Sequence, residues 1–195
     1  MTAVATPVAS GPRSALLRWL RWVALGAVTA LAAVIAMVAV SGDGSDGAGE
    51  RRQVAREAAS YKKQLKPLTD TGANVVISGL KPGFTDIREE RYPAPVLTGM
   101  TDAWISDLEA VRDGIRALEH RDVLGSTHNL YLRALDGYVR VAMTLREAVA
   151  ASGEDRQALL GKAASLGRGA DRTYDRAEDA LARLVAPVDQ ENERR

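Results

Sequence analysis

Apolar and polar positions divide the chain into one unbroken apolar run and four periodic stripes. The run is Trp22 to Val40, WVALGAVTALAAVIAMVAV, 19 residues without a charge. As a helix rising ~1.5 Å per residue it would cover roughly 28 Å, close to the ~30 Å hydrocarbon thickness of a bilayer. Thr29 inside it can bond its hydroxyl to a carbonyl one turn back, so it does not oppose insertion.

The first stripe spans Glu50–Gly79, with Val54, Ala58, Tyr61, Leu65, Leu68, Gly72, Val75 and Gly79 in steps of three and four. That is one face of a helix. Pro67 removes one backbone donor and is expected to bend the helix near Lys63–Lys66, but the stripe keeps its phase, which predicts one bent helix and not two. Asn74–Ser78, NVVIS, is β-prone, yet no other strand-like run exists to pair with it. Residues 80–97, LKPGFTDIREERYPAPVL, hold three prolines and no clean period. They predict a long loop with at most a short helical turn over Thr85–Arg91, capped by Thr85 or Asp86. Phe84, the only phenylalanine, and Tyr92 are expected to pin this candidate interaction loop to the bundle.

Thr98–His120 is predicted helical. Leu97, Trp104, Val111 and Leu118 repeat every seven residues, with Thr101, Leu108 and Ile115 between them, the seam of a bundle helix. A tight turn is expected at His120–Asp122. The third stripe then runs through Leu124, His128, Tyr131, Leu135, Tyr138, Ala142, Leu145 and Val149 to about Ala151. Gly125 and Gly137 on this helix would allow close backbone approach. Ser152-Gly153-Glu154-Asp155 resembles a capping box, Ser first and an acid three later. The last stripe takes Leu159 or Leu160, Ala163, Gly167, Ala170, Tyr174, Ala177, Leu181 and Leu184, and Pro187 is expected to end it.

These elements predict an all-α chain: a single N-terminal transmembrane helix followed by an extracytoplasmic antiparallel four-helix bundle. The expected division is a cytoplasmic tail over 1–18, a span over 19–40, a flexible Gly/Ser/Asp linker over 41–49, the bundle over 50–187 and a polar tail over 188–195. Charge sets the direction. Arg13, Arg18 and Arg21 precede the run with no acid among them, whereas Asp43, Asp46 and Glu50 follow it before the first base, Arg51. The positive-inside rule therefore puts the N-terminus in the cytoplasm and residues 41–195 outside, with Trp19 and Trp22 at the interface. A cleaved signal peptide, cut after Ser41, is the rival; its apolar centre would usually be ~7–15 residues, shorter than this run. The chain has no cysteine, so a lipid-modified cysteine anchor is excluded, as are disulfides and thiol catalysis.

Composition narrows function mainly by exclusion. Without the three N-terminal arginines, 23 bases face 25 acids, a balance of −2 that offers no electrostatic footprint for nucleic acid. Five lysines against 21 arginines, with abundant Ala, Gly and Val, look like the coding bias of a GC-rich genome. His120 and His128, the only histidines, are eight apart and do not form the i, i+4 pair of a helical metal site. No Glu-x-x-His pair, nucleophile-elbow serine or glycine-rich phosphate loop occurs. No cofactor or metal is expected. The dense charges from Arg168 to Asp179 read as a solvated face with i, i+3 ion pairs (Arg168–Asp171, Arg172–Asp175, Arg176–Asp179).

Tyr61, Trp104, Tyr131, Tyr138 and Tyr174 fall on inward faces. With His128, the tyrosines Tyr131, Tyr138 and Tyr174 predict a polar bundle interior, because buried hydroxyls need partners. The expected function is a non-enzymatic interaction or scaffold module, anchored in the bilayer and facing another protein of the bacterial envelope. The alternative is a small-ligand-binding bundle. It resembles the four-helix sensor domains of bacterial chemoreceptors and sensor kinases, but those sit between two spans and feed a cytoplasmic output. Here the short N-terminal tail would have to act through a partner. In layout the chain also resembles single-pass extracytoplasmic bundle proteins of high-GC bacteria, a likeness of composition that assigns no residue a role.

Overall fold

A computed structural model of the chain describes residues 46–192. They fold as α1 (Asp46–Asn74), a π-helical segment (Val75–Leu80), α2 (Lys81–Arg88), α3 (Ala94–Arg116), α4 (Asp122–Ala150) and α5 (Gly153–Asn192). Among the described residues there is no strand. The run Trp22–Val40 lies outside them. No helix that is described is long and apolar enough to cross a membrane.

The long helices form an antiparallel bundle, as the stripes predict. Across α1 and α3, Leu68 meets Gly114 and Gly72 meets Val111, and in the π segment that continues α1 Gly79 meets Trp104, one number rising as the other falls. Across α3 and α4, Arg112 reaches Asp136 at 3.4 Å and Arg146 reaches Asp102 at 3.0 Å. Across α4 and α5, Tyr131 pairs with Glu178 and Tyr138 with Asp171. Helix α5 packs back on α1 and closes the ring. The predicted α3 seam is buried from Leu97 through Thr101, Trp104, Leu108, Val111 and Ile115. Leu108 and Leu145 are fully covered, and burial of each such side chain stabilises by roughly 1.5–3 kcal/mol.

Several expectations need correction. The linker expected over 41–49 is helical from Asp46, where acids at and near the first turn suit the helix dipole. α1 does run unbroken through Pro67, but its last predicted turn is π-helical, which buries both Val75 and Val76 together with Leu80. The loop expected over 80–97 is mostly helix: α2 occupies Lys81–Arg88, only Glu89–Pro93 is non-helical, and α3 begins at Ala94 and not Thr98. Prolines do not break these helices because Pro95 stands in the first turn of α3, where a missing N–H costs nothing, and Pro82 follows the π segment at the start of α2. Neither Thr85 nor Asp86 caps α2.

The α3–α4 turn covers Ala117–Arg121, slightly earlier than expected. No capping box opens α5. There Gly153 adopts φ +54° and Arg156 Nε donates to the Ala151 carbonyl at 2.8 Å. Pro187 does not end α5, which continues to Asn192 and takes in part of the expected polar tail. A proline deletes one donor, and a helix already seated along its length tolerates the loss, as α1 does at Pro67.

Two close approaches fix the packing. The Trp104 indole fills a cradle left by Gly79 and Gly83, where added Cβ atoms would lie 2.6 Å and 2.0 Å from ring atoms. Gly137 lets α4 meet Ala170 of α5, at 2.8 Å from the position of a Cβ. Gly125 permits no such approach; its nearest outside atom is His120 Nε2, at 3.9 Å from that position.

Candidate functional site

Two regions stand apart from ordinary packing: a polar seam inside the bundle and the corner around α2. The seam holds the four residues expected there. His128 and Tyr131 are buried on α4 at 4% and 1% exposure, Tyr138 is buried two stripe steps further on, and Tyr174 is half-buried on α5. Each of three phenols meets a partner. The Tyr61 hydroxyl lies 3.0 Å from His128 Nδ1, Tyr131 donates to Glu178 at 2.9 Å, and Tyr138 donates to Asp171 at 2.6 Å. Tyr174 sets its ring edge-on to Tyr131, centroids 5.7 Å apart.

These surroundings shift the titrations. Burial pushes the Tyr61 phenol up to about 12. Burial, then the Glu178 carboxylate, pushes Tyr174 up to about 12 as well. Tyr131 and Tyr138 also rise, first by burial and then by their hydrogen-bonded carboxylates. Asp175 rises through desolvation and its neighbours Asp171, Asp179 and Glu178. Among the described residues, none of the i, i+3 ion pairs expected along α5 forms; Asp171 serves Tyr138 instead. The interior polarity is thus consumed by bonds between helices.

The two histidines, eight positions apart in the sequence, are brought together by the fold. His120 stacks on His128 with centroids 3.9 Å apart and planes 16° from parallel. Burial, then the charge of His120, pushes the His128 imidazole below its ordinary value. Beside them Arg121 binds Glu57 Oε1 at 2.8 Å, while Glu57 Oε2 is buried without a partner. Glu57 and Arg121 carry no signal in the sequence because separation hides the pairings: Tyr61 and His128 are 67 positions apart, Glu57 and Arg121 are 64 apart. No group of three or more His, Asp or Glu side chains suited to a metal occurs among the described residues.

At the corner, Phe84 packs partly buried against the core, as expected. Tyr92 does not pin the segment and is 48% exposed. Asp86 is buried and accepts from Arg91 at 3.2 Å. Arg88 and Arg91, through hydrogen bonds, hold the Glu89 carboxyl below its usual range. Glu90 is held at φ +50° and its carboxylate pairs with Arg156 from the start of α5. A cavity of about 60 Å³ lies under them, lined by Ile87, Leu97 and Val149 with Tyr92, Glu90 and Arg156 at its mouth. It has space for a few water-sized groups. Ile77, Tyr92 and Val96, three of the five large apolar side chains exposed among the described residues, belong to the stretch from the π segment to the start of α3.

No protein-family model matches the chain, and neither a curated protein nor a solved structure is significantly similar to it. The membrane-anchor candidates Arg13, Arg18, Trp19, Arg21 and Trp22 lie outside the described residues.

Proposed function

We propose that this chain is a non-enzymatic interaction or scaffold module of the bacterial cell envelope, a helical bundle tethered to the membrane by Trp22–Val40. The tether is single-pass, with the N-terminus cytoplasmic and the bundle outside. Its basis is the uncharged run and the arginines confined to its N-terminal flank. The partner is another envelope protein, met by the corner between the π segment and α3. The observation that carries this reading is that exposed Ile77, Tyr92 and Val96 all fall in the stretch from the π segment to the start of α3. Exposed apolar side chains close together in the chain, on a segment with a π turn and a left-handed Glu90, are more apt for contact than for catalysis.

The test has two arms. Full-length protein should stay with membranes after carbonate extraction, with its C-terminus open to protease from the outside. Photocrosslinkers at positions 92 and 96 should capture one envelope protein in intact cells, and a crosslinker at exposed Arg183, near the far end of α5, should not. Release by carbonate removes the tether. Equal capture from positions 92, 96 and 183, or none, removes the interaction surface; a small molecule that instead co-purifies with the bundle favours the ligand-sensing alternative.

A further inference from the structure

His120 and His128 face each other at the end of the bundle where α1 begins. His128 sits inside, on α4, whereas His120 is exposed, in the turn between α3 and α4. His120 Nδ1 lies 3.2 Å from the Leu118 carbonyl and can bond there only as a donor. The inner ring joins α1 through the 3.0 Å contact with Tyr61. Arg121, next in the turn, joins α1 again through Glu57. The turn is therefore fastened to α1 by an ion pair and by a stack of two imidazoles.

Charged and titratable groups approach the stack from the turn and the neighbouring helices, among them Asp122 in the first turn of α4. From α1 come Glu57 and the neutral phenol of Tyr61; from the turn come Arg121 and exposed Glu119 and His120. In the last turn of α3, Arg116 is bound to Asp113 at 2.7 Å. Along α4, Leu124 and Leu132 flank His128 one turn either way. On α5 the register set by Tyr131–Glu178 and Tyr138–Asp171 brings buried Leu181 opposite His128, and Glu178 is already engaged.

We infer that the His120–His128 stack is an acid-sensitive latch, holding the Ala117–Arg121 turn against α1 while the imidazoles are neutral and releasing it when they are protonated. Two imidazoliums cannot share a 3.9 Å stack without strong repulsion. Protonated His128 carries hydrogen on both ring nitrogens, so Tyr61 can then only accept from it, and a phenol that donates to the neutral Nδ1 loses that acceptor.

The sign follows from burial. The folded state depresses the His128 value, so the unfolded state binds the proton more readily. The contribution to stability is full above the unfolded value of ~6.5 and is lost as pH falls through it toward the folded value.

Hydrogen exchange of the full-length chain, corrected for intrinsic rates, tests this between pH 7.5 and 5.5. Exchange at Ala117–Leu124 should quicken about tenfold on acidification while the Glu89–Pro93 turn at the other end stays unchanged. His120→Phe, which keeps a stacking ring without its charge, should lose most of that response. Imidazole NMR titration of the wild type supplies a second readout that needs no variant: His128 should titrate below the ordinary histidine value of ~6.5. Turn protection independent of pH, an undiminished acid response in His120→Phe, or a His128 titration at or above ~6.5 would each overturn the latch.

Discussion

The Trp104 indole occupies the space that a side chain on Gly83 would need: a Cβ there would lie 2.0 Å from the ring carbon Cη2. The indole is stiff, and Gly83 is buried in α2, so neither side can yield cheaply. Gly83→Ala is therefore expected to destabilise the bundle by about 1–3 kcal/mol, the usual range for overpacking. Gly99→Ala, in α3 with nothing within 4 Å of its Cβ position, should instead stabilise by ~0.5–1 kcal/mol through helix propensity. Denaturant unfolding of the two variants measures both, and equal effects would remove the cradle.

Gly137→Ala should behave like Gly83→Ala, because its Cβ would approach the Ala170 Cβ to 2.8 Å. Here the neighbour is short and attached to backbone, so α4 and α5 must separate. The expected loss is about 1–3 kcal/mol. Gly161→Ala on α5, which meets nothing within 4 Å, should gain stability in the same experiment.

Tyr138→Phe and Tyr131→Phe each delete one hydroxyl that donates to a carboxylate across α4 and α5. Hydrogen bonds to charged acceptors contribute roughly 1.5–3 kcal/mol, and both carboxylates can recover water, so a loss near ~1 kcal/mol is expected for each. Unfolding curves should show the loss with an unchanged denaturant slope, since the surface buried is nearly the same.

The tyrosines give the alkaline limb of stability. Tyr61 and Tyr174 rise to about 12 in the folded state, and Tyr131 and Tyr138 rise too. The folded chain therefore holds these phenol protons more tightly than the unfolded chain does. Their contribution is complete below the unfolded value of ~10 and falls as pH climbs through it. Melting temperature should drop steeply above about pH 10, together with delayed phenolate absorbance; simple titration at constant melting temperature would contradict it.

Asp175 carries the opposite sign from a typical acid in a salt bridge. Its value is raised by desolvation and by three neighbouring carboxylates, so its charge weakens the fold at neutral pH. Asp175→Asn should raise the melting temperature slightly at pH 7 and lose that advantage as the pH falls and the carboxyl, its value raised, takes up its proton. Because the side chain is exposed, the gain should stay within a few tenths of a kcal/mol.

The sequence by itself determined the four long helices, their inward faces and the antiparallel order. Steps of three and four residues leave one apolar face that must be covered, and short connections leave few ways to cover it. It also set the inward positions of His128, Tyr131 and Tyr138, which share the stripe with Leu124 and Leu135. Local pattern failed where a residue's effect depends on its place in an element. Pro82 and Pro95 read as breakers until the helix starts were known, and the π turn at Val75–Leu80 leaves no signature in spacing.

Only the tertiary structure decided the partners. Tyr61 with His128, Arg121 with Glu57 and Trp104 with Gly83 are juxtaposed by the crossing of separate helices. Side-chain periodicity states which face a residue occupies but not its height against a neighbouring helix. That height is fixed by the close approach at Gly137 and by the indole lodged between Gly79 and Gly83, and it brings two histidines eight positions apart into one stack.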